Sequence, residues 1–167
     1  MWHEAEGTTF DFELAVKNDD DRLNLPRILM LHGGGTNARI FRAQCRILEA
    51  ALRPNFRFCY AQAPFLSQAG PDVQKVYSHL GPFRAWLRWS PDSVGDDNCV
   101  TDEILSAIDL AVRLDNAAGA TGEFVGILGF SQGAKIGASL LKAMQMRGRS
   151  VRPSWQTFRF GVLLAGR

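Results

Sequence analysis

A serine flanked by glycines carries the clearest chemical signal in the chain. Gly129, Ser131 and Gly133 give the spacing Gly-x-Ser-x-Gly, between an apolar run at 124–128 and a helical pattern that begins at 134. A tight strand-to-helix turn with this spacing exposes a serine hydroxyl at the end of a sheet, and small residues must flank it. Because a serine hydroxyl is a weak nucleophile without an adjacent base, the pattern predicts base-assisted acyl transfer at Ser131. The alternative is a serine that only caps the helix.

A glycine-rich loop is the second chemical motif. His32, Gly33, Gly34 and Gly35 follow an earlier apolar run. Glycine backbone can approach a substrate oxygen closely, so we expect the backbone N–H groups of Gly34 and Gln132 to form an oxyanion hole. Gly33 and Gly35 would shape the loop, and we expect His32 to brace it by hydrogen bonding rather than to act as a base. A phosphate-binding loop is the alternative, although the spacing differs from G-x-x-x-x-G-K-[ST].

The sequence supplies no obvious catalytic base or acid. The segment 132–167 contains no Asp, Glu or His, whereas the fold that uses this turn places its acid and its histidine after the serine. We expect His79 to lie on a surface loop and His3 at a frayed, acidic N-terminus. Four aspartates precede the serine without standing at a predicted strand end: Asp96, Asp97, Asp102 and Asp109.

The elements that must position these motifs alternate between strand and helix. Period-2 alternation or short apolar runs predict strands at 10–17, 27–31, 56–61, 124–128 and 160–165. An apolar stripe of helical period predicts a helix through 41–52, and further helices are predicted after Thr101, a plausible N-cap, and from 134 to about 146. This order predicts a single α/β domain over 1–167, built on a mostly parallel sheet with helices on both faces.

Residues 62–100 lack a convincing period but are rich in aromatic side chains. A loop of this length in a compact domain is usually functional or disordered, and its aromatic content argues against disorder. We therefore expect a lid or pocket wall over the site. The candidate pocket residues are Phe65, Tyr77, Phe83 and Trp86.

Composition and charge exclude several other classes of protein. Hydrophobic residues make up 46% of the chain, charged residues 22%, and the net charge is +2, which is too small to argue for a polyanionic partner. The segment 132–167 nevertheless holds seven basic residues and no acidic one. A nucleic-acid-binding surface built on Arg147, Arg149, Arg152 and Arg159 is the weaker interpretation, and an unbalanced piece of a longer protein is the stronger one.

The cysteines and the hydropathy of the chain predict the cellular compartment in which the protein works. The three cysteines lack C-x-x-C spacing, which argues against a disulfide framework or a metal site. No run approaches the length of a membrane span, and the N-terminus lacks the apolar segment of a signal peptide. We expect a cytoplasmic protein that binds no membrane, nucleic acid, metal or cofactor.

The two motifs occur together with a distinctive set of flanking blocks. These are LPRILMLHGGGTN at 25–37, AQAPF at 61–65, GPFRAW at 81–86, GFSQGAK at 129–135 and FGVLLAGR at 160–167. In this combination the chain resembles the fungal serine hydrolase (FSH) family over about 25–167. Only Ser131, Gln132 and the loop 33–35 can be matched to the family's functional residues.

The resemblance implies an α/β-hydrolase fold, a Ser-Asp-His triad and hydrolysis of an acyl ester or thioester. It also implies a role in polyketide pathways, with a carrier-protein-bound acyl group as one form of the substrate. Family members carry the acid and the histidine beyond the last strand seen here, so we expect a C-terminally truncated chain that lacks the last strands of the sheet. A catalytically inactive hydrolase that keeps the acyl pocket as a binding module is the alternative.

Overall fold

A four-stranded parallel sheet forms the centre of the protein. The structure, a computed structural model, describes residues 22–88, 100–146 and 153–165. The sheet consists of β1 (Arg27–Leu31), β2 (Arg57–Ala61), β5 (Phe124–Phe130) and β6 (Phe160–Leu164), in the order β2-β1-β5-β6. Strand β1 is buried at every residue, which explains why its sequence is a continuous apolar run rather than an alternation. The predicted parallel sheet is confirmed.

Helices lie on both faces of this sheet. The described helices are α1 (Ala38–Gln44), α2 (Arg46–Leu52), α3 (Pro71–Tyr77), α4 (Asp102–Ala117) and α5 (Gln132–Met146). Of these, α1, α4 and α5 pack against the strands, whereas α2 and α3 have no buried residue. Leu29 and Leu31 of β1 belong to one buried cluster with side chains of α4 and α5. Ile28 and Met30 belong to a second cluster with Phe41 of α1. Because successive side chains of a strand point to opposite faces, the two clusters lie on opposite sides of the sheet. The expected α/β arrangement with helices on both faces is thus confirmed.

The predicted helix through 41–52 is wrong in its continuity. The chain instead forms α1 and α2, which meet at Cys45, where ψ is 4°. Phe41 is buried, but α2 has no buried residue and Leu48 is 36% exposed. The second half of the apolar stripe finds no buried surface to pack against, so packing does not favour one straight helix over two short ones.

The prediction of an irregular loop over 62–100 is wrong for the described part, 62–88. Strands β3 (Phe65–Leu66) and β4 (Arg84–Ala85) pair antiparallel, and α3 and a 3₁₀ turn at Ser78–Leu80 lie between them. These elements are two to seven residues long, so they are too short to produce a readable period.

Other element predictions differ from the structure only at their ends. Thr101 occupies the N-cap position of α4, although its side chain makes no capping hydrogen bond there. Strand β5 runs two residues further than 128, and α5 begins at Gln132. The predicted strand at 10–17 lies outside the described residues. Among the helices described, none is long and apolar enough to cross a membrane.

Candidate active site

Ser131 lies on a strained turn between β5 and α5. Its φ angle is 53°, in the left-handed region that side chains avoid, at a typical cost on the order of 1–2 kcal/mol. Its backbone N–H donates to the Leu164 carbonyl of β6 at 2.8 Å, which fixes the turn against the sheet. A side chain at Gly129 would collide with the Gly133 carbonyl, and one at Gly133 with the Leu31 carbonyl. The close packing of the turn therefore explains both flanking glycines.

The glycine loop after β1 lies directly beside this serine. A methyl group added at Gly33 would lie 3.5 Å from Ser131 Cβ, and one added at Gly34 would lie 2.6 Å from Gln132 Cδ. Gly35 has a φ of 71°, and its N–H donates to the Arg84 carbonyl at 3.0 Å. The fold therefore brings together the two sequence motifs, which are about a hundred residues apart in the chain.

Two backbone N–H groups at this junction have no acceptor among the described residues. Within the described ranges, the N–H groups of Gly34 and Gln132 donate to no other group. Gln132 is also the first residue of the fifteen-residue helix α5, whose N-terminus carries partial positive charge. A carbonyl oxygen that becomes negative as it is attacked is the species that such an arrangement can stabilise.

His32 is a fully buried brace of the glycine loop. The Ala63 N–H donates to His32 Nε2 at 3.1 Å, so the ring proton is on Nδ1, which donates to the Gly33 carbonyl at 2.7 Å. Burial, opposed in part by the Gly33 hydrogen bond, lowers the pKa of His32 to about 4. Both ring nitrogens are occupied and the ring is neutral at physiological pH, so this histidine has no free nitrogen with which to take a proton from Ser131.

Comparison with known proteins places this chain in a family. A family model described as serine hydrolase (FSH1) matches residues 23–167. The chain belongs to the FSH1 serine hydrolase family. This FSH1 protein is 56% identical over 155 residues to an esterase of Didymella fabae and 58% identical over 156 residues to esterase citA of Monascus ruber. Both matches cover 89% of the present chain.

The FSH1 relatives are longer proteins. The matched regions make up 56% of the Didymella fabae esterase, 58% of esterase citA and 57% of esterase claE of Penicillium crustosum, which is 55% identical over 151 residues. The present chain therefore spans about half the length of the curated relatives it matches.

Among the residues that the structure describes, none of the other sequence candidates for a base or an acid hydrogen-bonds to Ser131. Within the described ranges, Ser131 Oγ makes no hydrogen bond. His79 is exposed in the 3₁₀ turn, Asp102 is exposed at the start of α4, and Asp109 pairs with Arg113 at 3.0 Å. His3, Asp96 and Asp97 lie outside the described residues. Over the described parts of the chain, no group of three His, Cys, Asp or Glu side chains is placed to hold a metal ion.

The four aromatic pocket candidates differ in their burial. Trp86 is fully buried in the core, with its ring centroid 5.3 Å from that of His32, so the expectation that it lines an open pocket is corrected to a packing role. Phe65 is half-buried on β3 beneath the Arg88 guanidinium, and Phe83 is half-buried next to β4. Tyr77 ends α3, with no contact to the serine turn described. Burial of Trp86 is tolerated because its indole N–H donates to the His32 carbonyl at 2.7 Å, a contact between distant residues that local sequence does not encode.

Asn37 is a positioning residue that the sequence analysis did not single out. Its side-chain oxygen accepts from the Ile40 N–H at 2.8 Å, capping α1. Its side-chain nitrogen donates to the carbonyls of Leu80 and Pro82 at 2.7 and 3.0 Å. Asparagine immediately before a helix is a readable N-cap signal, but its tie to residues 80–82 is not.

The nucleic-acid interpretation finds little support in the described residues. Arg159 pairs with Glu123 at 3.1 Å on the surface. Arg147, Arg149 and Arg152 lie outside the described residues.

Proposed function

We propose that this FSH1 protein hydrolyses an acyl ester through an acyl-enzyme intermediate on Ser131. The observation that supports this most strongly is the close approach of the glycine loop to the serine turn. The N–H groups of Gly34 and Gln132 at this junction have no acceptor among the described residues. Two such N–H groups beside a nucleophile match the needs of a tetrahedral intermediate.

In the proposed reaction, Ser131 Oγ attacks the acyl carbonyl carbon and gives its proton to a general base. The carbonyl oxygen becomes negative and is held by the N–H groups of Gly34 and Gln132. The intermediate collapses, the alcohol or thiol leaves with the proton, and water then hydrolyses the acyl-serine to release the acid. From the family resemblance we expect the base and its orienting acid to come after β6 in the sequence.

The substrate class follows from the relatives and from the resemblance. Relatives named as esterases support an ester substrate. A thioester, a polyketide acyl group carried on a carrier protein, and a role in fungal secondary metabolism are further proposals that rest on the family resemblance. We also propose a cytoplasmic location, since Cys45 and Cys59 are both free thiols, as in proteins of reducing compartments.

A fluorophosphonate probe tests the nucleophile. The protein for this test, called the full-length protein below, is expressed from the complete open reading frame of the transcript. We expect the probe to attach to Ser131 and the Ser131→Ala variant to take no label. A full-length protein that takes no label at Ser131 would contradict the proposal and favour an inactive hydrolase that only binds acyl groups.

A pair of glycine variants tests the oxyanion hole. Gly34→Ala places a methyl group 2.6 Å from Gln132 Cδ, whereas Gly70→Ala meets nothing nearer than 3.9 Å. Alanine keeps the backbone N–H, so Gly34→Ala acts by displacing the loop or the Gln132 side chain that its methyl group meets. Misplacement by about 1 Å costs on the order of 10²-fold in rate. We expect Gly34→Ala to slow hydrolysis of a p-nitrophenyl ester by up to about that factor and Gly70→Ala to leave it within about twofold. Equal rates for the two variants would contradict the requirement for close contact between the Gly34 loop and Gln132.

A further inference from the structure

The side chain of Gln132 connects the serine turn to a segment 46 residues earlier in the chain. Gln132 Oε1 accepts from the backbone N–H groups of Trp86 and Leu87 at 3.0 and 3.3 Å. This contact involves the side chain, whereas the proposed oxyanion donor is the backbone N–H of the same residue. The side-chain amide is therefore engaged with the protein itself.

The segment that Gln132 holds is in turn tied to the glycine loop. The Trp86 indole donates to the His32 carbonyl at 2.7 Å, and the Arg84 N–H donates to the Thr36 carbonyl at 2.6 Å. The Gly35 N–H donates back to the Arg84 carbonyl at 3.0 Å. The hydrogen bonds from Gln132 therefore complete a ring of contacts that runs through residues 84–87 to the loop 32–36.

The same amide also touches the loop directly. A methyl group at Gly34 would lie 2.6, 2.8 and 2.9 Å from Cδ, Nε2 and Oε1 of Gln132. Gly34 backbone and the Gln132 side chain are thus in van der Waals contact. The amide lies next to one proposed oxyanion donor and is covalently part of the residue that carries the other.

We propose that the side-chain amide of Gln132 is a positioning group that fixes the distance between the two oxyanion donors. This inference deepens the function proposed above and rests on it. Donors must lie 2.7–3.1 Å from the developing oxyanion, and misplacement by about 1 Å costs on the order of 10²-fold in rate. Holding residues 86 and 87 against the serine turn keeps the Gly34 loop from moving away from α5.

A matched pair of glutamine variants tests the role in the full-length protein. Gln132→Met keeps the side-chain length and the backbone N–H but removes the acceptor. Gln62→Met is the control, because Gln62 Oε1 also accepts a backbone N–H, that of Ala38 at 2.8 Å, and Gln62 is also half-buried. We expect Gln132→Met to slow fluorophosphonate labelling of Ser131 and kcat for a p-nitrophenyl ester by tenfold or more, with KM changed less than threefold. Gln62→Met should stay within twofold of the parent in both.

Amide hydrogen exchange gives a readout that does not depend on catalysis. Gln132→Met should speed exchange at residues 86 and 87 at least tenfold, and Gln132→Glu, which keeps an acceptor oxygen, should restore the parent's protection there. If the parent takes no label, the proposed function fails, and exchange alone decides whether Gln132 holds the segment. Unchanged exchange in Gln132→Met, or a labelling rate equal to that of Gln62→Met, would overturn the positioning role.

Discussion

Single residues at the site show how much of the local chemistry is set by backbone geometry. Ser131 has a positive φ. On either side of it, Gly129 and Gly133 lie so close to backbone carbonyl oxygens that no larger residue fits. Strain of this kind persists only where surrounding structure over-determines it, and here the Leu164 carbonyl and the glycine loop do so. The serine is therefore presented by the fold, and its reactivity depends on a base supplied from elsewhere.

His32 makes stability depend on pH. Its pKa falls from 6.5 to about 4 on folding, so between these values the unfolded chain binds more protons than the folded one. Stability is therefore full above pH 6.5 and decreases as the pH falls towards 4, by about 3 kcal/mol in total. Urea unfolding at several pH values between 4 and 7 should show this slope. His32→Gln should flatten this dependence of stability on pH, whereas His79→Gln, at an exposed position, should keep it. An unchanged slope in His32→Gln would show that His32 is not its source.

Short elements, rather than long helices, hold the site together. The region that we expected to be a loop contains two-residue strands whose backbone joins Gly35 and Thr36 to Arg84. Asn37 then connects α1 to residues 80–82. The connection to Arg84 is made by backbone hydrogen bonds. The connection to residues 80–82 depends on the single buried side chain of Asn37.

Removing the Asn37 side chain should loosen this region. Asn37 is 5% exposed, and Asn37→Ala loses the α1 cap and leaves two carbonyls without their donor. We expect a loss of about 2–3 kcal/mol in the free energy of unfolding, measured by urea denaturation. Thr101→Ala removes an N-cap side chain that makes no capping bond and should cost less than about 0.5 kcal/mol. Similar losses in the two variants would contradict this account.

At the scale of the whole molecule, a buried charge network closes the end of the sheet opposite the serine. Arg27 and Arg57, the first residues of β1 and β2, share the Asp115 carboxylate at 3.1 and 2.7 Å. Arg27 also donates to the Gly122 carbonyl at 2.6 Å and lies over the Phe124 ring. The network joins two strands, α4 and the chain before β5.

The buried Asp115 carboxylate should contribute far more to the free energy of unfolding than an exposed carboxylate does. Asp115→Ala takes the carboxylate from a guanidinium group whose side chain is 8% exposed, and we expect a loss of about 3–5 kcal/mol in the free energy of unfolding. Asp72→Ala breaks an exposed pair with Lys75 and should change it by less than about 0.5 kcal/mol. Thermal melts of both variants give the comparison, and equal melting temperatures would rule out a structural role for the network.

Strand β6 shows the limit of reading a strand from its sequence. Its apolar run predicted a strand correctly, yet all five of its residues are exposed within the described structure, Leu164 by 46%. Its hydrophobicity predicted that the segment would pair in the sheet, and it does pair with β5. What covers a strand depends on its neighbours in space, which local composition does not specify.

The sequence alone determined that a helical segment connects β1 to β2, and it determined the strained turn at Ser131 and the glycine loop, because periodicity and glycine spacing are local properties of the backbone. The tertiary structure decided that Gly33 and Gly34 meet Ser131 and Gln132, that His32 has both nitrogens occupied, and that Trp86 lies in the core. It also decided that the Gln132 side chain holds residues 86 and 87, and that two arginines share Asp115. Apart from the hydrogen bond between His32 and the adjacent Gly33, these contacts join residues 31 to 98 positions apart. Their partners are selected by packing and by the hydrogen-bonding needs of buried groups, for which a single sequence carries no local signature.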